Sequence, residues 1–328
     1  MTFMSRKSLF AGALAFGAAL TVSQASAELR GWNIHVPDYP VSVAMDKFTS
    51  LVEENSGGSV TGKTYHGGVL GSQPDAINQL RIGGIDFAVF NMGPMGPIVP
   101  EANVVSLPFI FKDMDHMHRV MDGAFGDKMS TAMEDKGLVA LAWYDSGARS
   151  FYNTVRPINT PADLDGLKFR VMNNELFVGM VESLGGNATP MAFAEVFQSL
   201  KTGVIDGAEN NWPSYESTNH YEVAGYYSGS QHLILPECLC MSKLSWDKLS
   251  DGDKEIVKAA AVESATLQRE LWAKRAVKSR EIVEAGGITF NEIADKAPFQ
   301  DAMAPVYEMA VTKTPILAEY IADIKAVD

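Results

Sequence analysis

Two segments of the chain repeat one pattern, and this repeat constrains the fold more than any other feature. Residues 76–91 read AINQLRIGGIDFAVFN, and residues 196–211 read VFQSLKTGVIDGAENN. Each begins with the apolar spacing of a helix, passes a glycine suited to a left-handed helix cap, and continues as a short buried strand. Those glycines are Gly83 and Gly203, and each predicted strand ends in asparagine.

The repeat predicts two similar α/β units. A proline precedes each segment, Pro74 in one and Pro190 in the other, and we expect each to lie near the first turn of its helix. Ligands of open α/β sheets bind beyond the carboxyl ends of the strands. Facing units would then place Asn91 on one wall of a cleft and Asn210 or Asn211 on the other. The alternative is a chance likeness of two amphipathic helix-to-strand segments.

The rest of the chain alternates strands and helices. Strands are predicted at 28–33, 59–65, 138–144 and 168–171, a crossing segment at 151–153, and helices at 39–55 and 115–136. From a capping sequence at Ser250, a helix without a breaker continues to Gly286, about 34 residues or roughly 50 Å. Its apolar heptad is incomplete, so one helix lying across both lobes is favoured over a coiled-coil dimer.

The first 27 residues have the form of a signal peptide. Basic Arg6 and Lys7 precede an apolar run at 9–22, and Ala-Ser-Ala at 25–27 suits a signal peptidase. An exported, periplasmic protein is expected, and an uncleaved membrane anchor is the alternative. Without Arg6 and Lys7 the chain has 25 basic and 40 acidic side chains, a net charge near −15, which argues against nucleic acid and anionic membranes as partners.

The two cysteines, Cys238 and Cys240, lie two positions apart in the apolar stretch LILPECLCMS, which reads as a buried strand. An extended chain holds such a pair near the upper limit of disulfide reach. A free, buried pair is therefore favoured over a disulfide, and no metal site is expected there.

Two arginines are candidates for binding an anion. Arg149 follows Ser-Gly-Ala, predicted to be a tight turn after a strand, and Arg170 ends a predicted apolar strand. A guanidinium in such a place is unfavourable unless paired, and its planar fork suits a carboxylate. The alternative for each is a structural salt bridge, for Arg170 with a carboxylate at position 163, 165 or 175.

Amide side chains suited to ligand hydroxyl groups, which both donate and accept hydrogen bonds, are numerous near the predicted strand ends. Together with one histidine they are Asn33, His35, Gln73, Asn91, Asn173, Asn174, Asn210 and Asn211. Phe193 and Trp212 could offer aromatic faces to a ligand, although a core position is the alternative for both. A single histidine such as His35 is more often structural.

Enzymatic motifs are missing from the sequence. It has no Gly-x-Ser-x-Gly elbow, no His-Glu-x-x-His, no phosphate-binding loop and no Gly-x-Gly-x-x-Gly. Residues 113–118, DMDHMH, are the one local cluster that resembles metal ligands, and Asp113 or Asp115 is favoured there as a helix N-cap. A non-enzymatic protein without metal or cofactor is predicted.

Several motifs together resemble the periplasmic solute-binding subunits of tripartite ATP-independent periplasmic (TRAP) transporters, the DctP-type family. They are GVLG at 68–71, GIDF at 84–87, LPF at 107–109, GAR at 147–149, LDGLKFRV at 164–171, PMAFAEV at 190–196 and DGAEN at 206–210. The resemblance implies the two-lobed α/β periplasmic binding protein fold, with an interlobe cleft, strand crossovers and a long helix spanning both lobes. We expect lobe I at 28–148 and 237–275, and lobe II at 149–236 and 276–328.

The resemblance also implies roles for individual residues. The carboxylate clamp of the family falls on Arg170, an assisting arginine on Arg149, and further ligand positions on Asn33, Gln73, Asn91, Asn173, Asn210 and Phe193. It implies a carboxylated small-molecule ligand and membrane permease subunits as partners. Gln73 and Asn91 stand where other members carry an acid, which makes a ligand amine less favoured.

A narrower resemblance concerns the ligand. Residues 210–221, NNWPSYESTNHY, and 145–153, DSGARSFYN, resemble the branch that binds hexuronates such as D-glucuronate and D-galacturonate. A sugar acid is therefore the expected ligand. A C4-dicarboxylate or other organic acid is the alternative, followed by a periplasmic enzyme acting on sugar acids and by a sensor subunit.

Overall fold

The computed structural model describes residues 27–328 together with Thr2, so the predicted signal peptide at 1–27 lies outside the described residues except for its ends. The strands are β1 Ala27–Trp32, β2 Val60–Tyr65, β3 Phe87–Asn91, β4 Leu138–Asn153, β5 Lys168–Val171, β6 Asn187–Pro190, β7 Gly207–Asn210, β8 Tyr226–Ser242 and β9 Thr289–Glu292. The α-helices are α1 Pro40–Asn55, α2 Gln73–Arg81, α3 Met114–Met121, α4 Ala124–Glu134, α5 Glu175–Ser183, α6 Val196–Lys201, α7 Trp212–Ser217, α8 Lys243–Trp246, α9 Asp251–Ala285, α10 Ala297–Asp301, α11 Ala304–Lys313 and α12 Leu317–Ala326. Short 3-10 helices occupy Gly93–Met95, Pro100–Ser106, Pro161–Leu164, Phe193–Glu195 and His220–Glu222.

In the described chain the strands form one mixed sheet, in the order β2-β1-β3-β8-β4-β7-β5-β6, with β9 on β8. The antiparallel pair of long strands, β4 and β8, joins its two halves. At one end of this pair β3 adds to β8 over Glu237 to Met241, and at the other end β7 adds to β4 over Ser150 to Asn153. The predicted α/β class with strand crossovers is confirmed.

Strand β4 corrects one detail of the prediction. The expected turn at residues 146–148 is wrong, because β4 continues unbroken through it. The crossing segment predicted at 151–153 is the last part of this same strand and not a separate element. The pairing of β4 with β8 shifts register between Asp145 and Ala148. Gly147 lies inside this irregularity with φ +66°, where a Cβ atom would approach the Trp272 ring to 2.7 Å.

The two repeated segments fold as predicted, each as a helix followed by a strand. They supply α2 with β3 and α6 with β7. Gly83 and Gly203 follow the helices with φ +74° and +73°, the left-handed conformation that the repeat requires. The helix entries differ, however. Pro74 lies in the first turn of α2, whereas Pro190 ends strand β6, which pairs in parallel with β5.

The long helix α9 has 35 residues and begins at the predicted cap, where Ser250 Oγ accepts a hydrogen bond from Asp253 N. Its first half packs against α1 in one hydrophobic core, and Val283 near its end belongs to another core. In its second half Arg275 pairs with Glu216 of α7 at 2.6 Å. The helix therefore spans both halves of the molecule, as predicted. No helix of the described residues combines the length and apolarity needed to cross a membrane.

The helix predicted at residues 115–136 is two helices, α3 and α4. They are separated at Asp122 and Gly123, where Gly123 has the extended conformation of an N-cap. The side chain of Asp122, the residue just before this break, pairs with Arg269 of α9 at 2.6 Å. Asp113 caps α3 by accepting a hydrogen bond from His116 N, which confirms the predicted cap.

The cysteine prediction is wrong, because Cys238 and Cys240 form a disulfide. Residues two apart in a regular strand are about 6.6 Å apart at their Cα atoms, whereas these are separated by 5.4 Å. The neighbouring strand β4 shifts register opposite them, between Ala140 and Ala142. The apolar pattern of the sequence does not reveal this irregularity of pairing. It accompanies a Cα–Cα spacing of the two cysteines that is within disulfide range.

Loss of this disulfide should change stability only slightly. Because it closes a ring of only three residues, the chain-entropy contribution is on the order of 1.6 kcal/mol, equivalent to about 4 °C or less in melting temperature. Thermal unfolding with and without a reductant, after confirming reduction by mass, measures the difference. A fall of more than about 10 °C would contradict this expectation.

Candidate functional site

A cavity lies where strand ends of the two sheet halves meet, and it is lined by both polar and apolar side chains, as small-molecule sites are. Eight of the predicted site residues line it: His35, Gln73, Asn91, Arg149, Arg170, Asn173, Phe193 and Asn210. Asn91 and Asn210 come from the two repeated segments, and Arg149 and Arg170 come from strands β4 and β5. The other four lie in loops or at the first residue of a helix. The geometry therefore brings together most of what the sequence proposed as one site.

Arg170 is a buried cation that lines this cavity and forms no salt bridge within residues 27–328. Arg170 is 4% exposed, and its Nε and one terminal nitrogen donate to Met191 O at 3.0 and 2.8 Å. Burial lowers the pKa of Arg170 to about 10, so it stays protonated at neutral pH. The other terminal nitrogen has no acceptor within the described chain and remains available to an anion.

The salt bridge considered as the alternative for Arg170 does not form within the described chain. Asp163 accepts from the backbone N–H groups of residues 159 and 160, and Glu175 pairs with Lys313 on the surface. Within residues 27–328 Arg170 forms no salt bridge with a carboxylate. Because a buried charge without a counterion is unfavourable, the site is suited to a ligand that supplies the negative charge.

Arg149, by contrast, takes the structural alternative. Its guanidinium pairs with Glu209 through bonds of 2.6 and 2.7 Å to the two carboxylate oxygens. It also donates to Asn210 Oδ1 at 2.7 Å. Burial opposes ionisation of both partners, but the Coulombic attraction of Glu209 raises the pKa of Arg149 and that of Arg149 lowers the pKa of Glu209 to about 2. This buried ion pair fixes the arginine at the cavity wall.

The amide side chains are held in defined orientations. Asn91 donates to Ser146 Oγ at 2.9 Å and accepts from Gly93 N at 3.0 Å. Gln73, which lines the cavity, donates to Asn91 O at 2.8 Å, and its side-chain carbonyl oxygen has no partner in the described chain. Asn210 Oδ1 accepts a hydrogen bond from Arg149, so the NH2 group of Asn210 is the part left for a ligand. Such fixed, partly unused groups suit the recognition of hydroxyl groups.

Aromatic rings close one side of the cavity. His35 stacks on Tyr39 with 3.9 Å between ring centroids and lies 6.1 Å from the ring of Phe193. The guanidinium of Arg170 is 6.0 Å from the same Phe193 ring. The neighbouring His220 has its pKa lowered to about 3, by burial and then by the charge of Arg170, and is therefore neutral.

Four predicted site residues lie away from the cavity lining, because their side chains bond elsewhere. Asn33 accepts from His35 N at 2.6 Å and thereby positions the His35 loop. Asn174 and Asn211 are N-caps, of α5 and α7, and donate to Gly93 O and Ser146 O. Trp212 stacks on Tyr227 at 3.7 Å on a different surface.

Sequence reasoning also missed residues that line the cavity, and Glu237 is the most informative of them. The others include Ser72, Ser146, Ser214, Pro94, Met172 and Met191. Glu237 lies in β8 within the apolar run LILPECL. The argument applied to Arg170, a charge inside an apolar strand, would have identified it.

Comparisons with known proteins agree with this geometry. Residues 33–314 match the family described as bacterial extracellular solute-binding protein, family 7 (DctP). A solute-binding protein of Chromohalobacter salexigens is 55% identical over 296 residues, covering 90% of this chain and 88% of the relative.

Two solved structures are similar over nearly the whole chain. A TRAP periplasmic solute-binding protein from Roseobacter denitrificans with bound β-D-glucuronate has a TM-score of 0.91 and 60% identity, covering 92% of this chain and 100% of that one. Another from a Sulfitobacter species, with bound β-D-galacturonate, has a TM-score of 0.90 and 59% identity, covering 91% and 99%.

The fold and the cavity thus define a two-lobed α/β solute-binding protein. More specifically, the chain belongs to the bacterial extracellular solute-binding proteins of family 7, the DctP family. The resemblance seen in its sequence motifs is confirmed.

Proposed function

We propose that this protein is the periplasmic binding subunit of a TRAP transporter and that it captures a hexuronate of the D-glucuronate or D-galacturonate type. The observation that carries the proposal is Arg170, a buried guanidinium that has no salt bridge in the described chain and that lies in a cavity lined by amides. Relatives at 59–60% identity hold uronates. The ligand carboxylate pairs with Arg170, and Arg149 contributes its remaining N–H.

The ring hydroxyls of the ligand are assigned to the amides. Gln73 offers a carbonyl oxygen, Asn210 an NH2 group, and Asn173, whose side chain is exposed at the cavity, both kinds of group. Phe193 lies against the body of the sugar. The protein binds the hexuronate unchanged and delivers it to membrane permease subunits, without a cofactor.

The lobe boundaries belong to the same proposal, with lobe I at 28–148 and 237–275 and lobe II at 149–236 and 276–328. Under this division Tyr39 OH and Ser214 Oγ, 2.9 Å apart, join the lobes across the cleft, as does the bond from Asn174 to Gly93 O. Such contacts support a closed form that opens about β4 and β8. The disulfide supports an oxidising compartment such as the periplasm.

A ligand panel tests the proposal. Thermal unfolding of the mature protein is measured with D-glucuronate, D-galacturonate, D-gluconate, sialic acid and succinate. A hexuronate at 100 times its dissociation constant should add about 2.7 kcal/mol to the free energy of unfolding and raise the melting temperature by several degrees. Stabilisation by succinate alone, or turnover of the uronates into products, would contradict it.

A further inference from the structure

The carboxylate of Glu237 lines the cavity and has no arginine or lysine partner within residues 27–328. Glu237 is 4% exposed and lies in β8, where it is in register with Asn91 of β3 and Tyr144 of β4. Within the described chain its Oε2 atom has no hydrogen-bond partner, and its Oε1 atom is 4.0 Å from His35 Nε2. This carboxylate is buried without the bonds that such a group normally makes.

The other buried acid of the site shows the contrast. Glu209 has both oxygens bonded to Arg149 at 2.6 and 2.7 Å, so its charge is balanced within the protein. Glu237 has no arginine or lysine partner in residues 27–328. A buried carboxylate left unsatisfied is unfavourable by several kcal/mol in general, which points to a ligand that supplies the missing donors.

The charges of the cavity are therefore separated along the sheet. Arg170 on β5 can only donate hydrogen bonds, whereas an ionised Glu237 on β8 can only accept them. Strands β4 and β7 lie between β5 and β8 in the sheet, and the two side chains form no salt bridge with each other. A ligand that satisfies both has a carboxylate at one end and hydroxyl donors at the other.

We propose that Glu237 is a specificity-determining residue that accepts hydrogen bonds from ligand hydroxyls and excludes ligands with a second carboxylate at that end. The inference rests on the proposed function, because it assumes that the first carboxylate lies on Arg170. Aldarates, in which the other end of a hexuronate is oxidised to a carboxylate, would meet the charge of Glu237, as would C4-dicarboxylates. Like charges in a water-poor site repel strongly.

The substitution Glu237→Gln tests this proposal, since it keeps the size of the side chain and removes its charge. Calorimetric titration gives the dissociation constants of D-galacturonate and galactarate for the wild type and the variant. The variant should bind galacturonate about 10-fold or more weakly, because a charge-assisted bond becomes a neutral one. The variant should bind galactarate no more weakly than the wild type does. The preference for galacturonate over galactarate should therefore fall by at least the same factor as the affinity for galacturonate. Galactarate is an open chain and galacturonate a ring, but this difference in shape affects the wild type and the variant equally. It therefore cancels when their preferences are compared.

Two further measurements separate recognition from a structural role. Without ligand, Glu237→Gln should unfold at or above the wild-type temperature, because an unbalanced buried charge is removed. Glu195→Gln is the matched control, a carboxylate near the cavity that instead accepts from Ala192 N at 3.0 Å. It should leave the preference nearly unchanged.

An unchanged preference in Glu237→Gln, or a variant that fails to fold, would overturn the assignment while leaving the proposed function intact. A wild type that binds galactarate as tightly as galacturonate would overturn it as well. A wild type that binds no hexuronate would instead contradict the proposed function itself.

Discussion

Replacing Arg170 by Ala should abolish measurable hexuronate binding. The guanidinium is buried, carries its charge at neutral pH and has no carboxylate partner in the described chain. Two charge-assisted bonds to a ligand carboxylate are worth about 1.5 to 3 kcal/mol each, so their loss weakens binding by about 100-fold to 10,000-fold. Calorimetric titration with D-glucuronate measures the change.

Lys168→Ala provides the matched control on the same strand. Lys168 Nζ donates to Gly203 O at 3.0 Å on the surface, so its removal takes away one positive charge outside the cavity. This variant should bind as the wild type does. Unchanged affinity in Arg170→Ala, or equal losses in both variants, would contradict a specific carboxylate clamp.

Replacing Arg149 by Met should produce the largest loss of stability. The substitution leaves Glu209, which is fully buried, without its bidentate partner. Breaking a buried ion pair from one side typically destabilises a protein by about 3 to 5 kcal/mol, equivalent to a fall of about 6 to 15 °C in melting temperature. Thermal unfolding without ligand measures this change.

The double variant Arg149→Met with Glu209→Gln should recover part of that loss, because no unbalanced charge then remains. The pH dependence gives a second readout of the pair. Burial raises the pKa of Glu209, but Arg149 and His232 together lower it to about 2. The ionised Glu209 therefore stabilises the folded state above about pH 5, and this contribution is lost as the pH falls toward 2. A double variant less stable than Arg149→Met would contradict this account.

Much of the fold was predictable because its determinants are local. Gly83 and Gly203 predicted where helices end and strands begin, and both adopt the required left-handed conformation. The capping sequence at Ser250 and the absence of breakers before Gly286 predicted the long helix. The division of residues 115–136 was missed because the break lies at Gly123, and a single glycine inside a helical pattern does not by itself predict the end of a helix.

The cavity was predictable where residue type and strand ends coincide, as at Asn91, Arg170 and Asn210. The cavity was not predictable where asparagine side chains form hydrogen bonds with the backbone. Asn174 and Asn211 cap helices, and nothing in their residue type distinguishes a cap from a ligand contact. Glu209, the ion-pair partner of Arg149, lies 60 positions away in the sequence. It becomes a neighbour of Arg149 only through the pairing of β4 with β7.

The most direct test of the central claim is a calorimetric titration of the mature protein with D-glucuronate and D-galacturonate, with succinate as the comparison. The account predicts one site per chain for at least one of the two hexuronates, with much weaker or no binding of succinate. Saturable binding of succinate together with no heat from either hexuronate would contradict it.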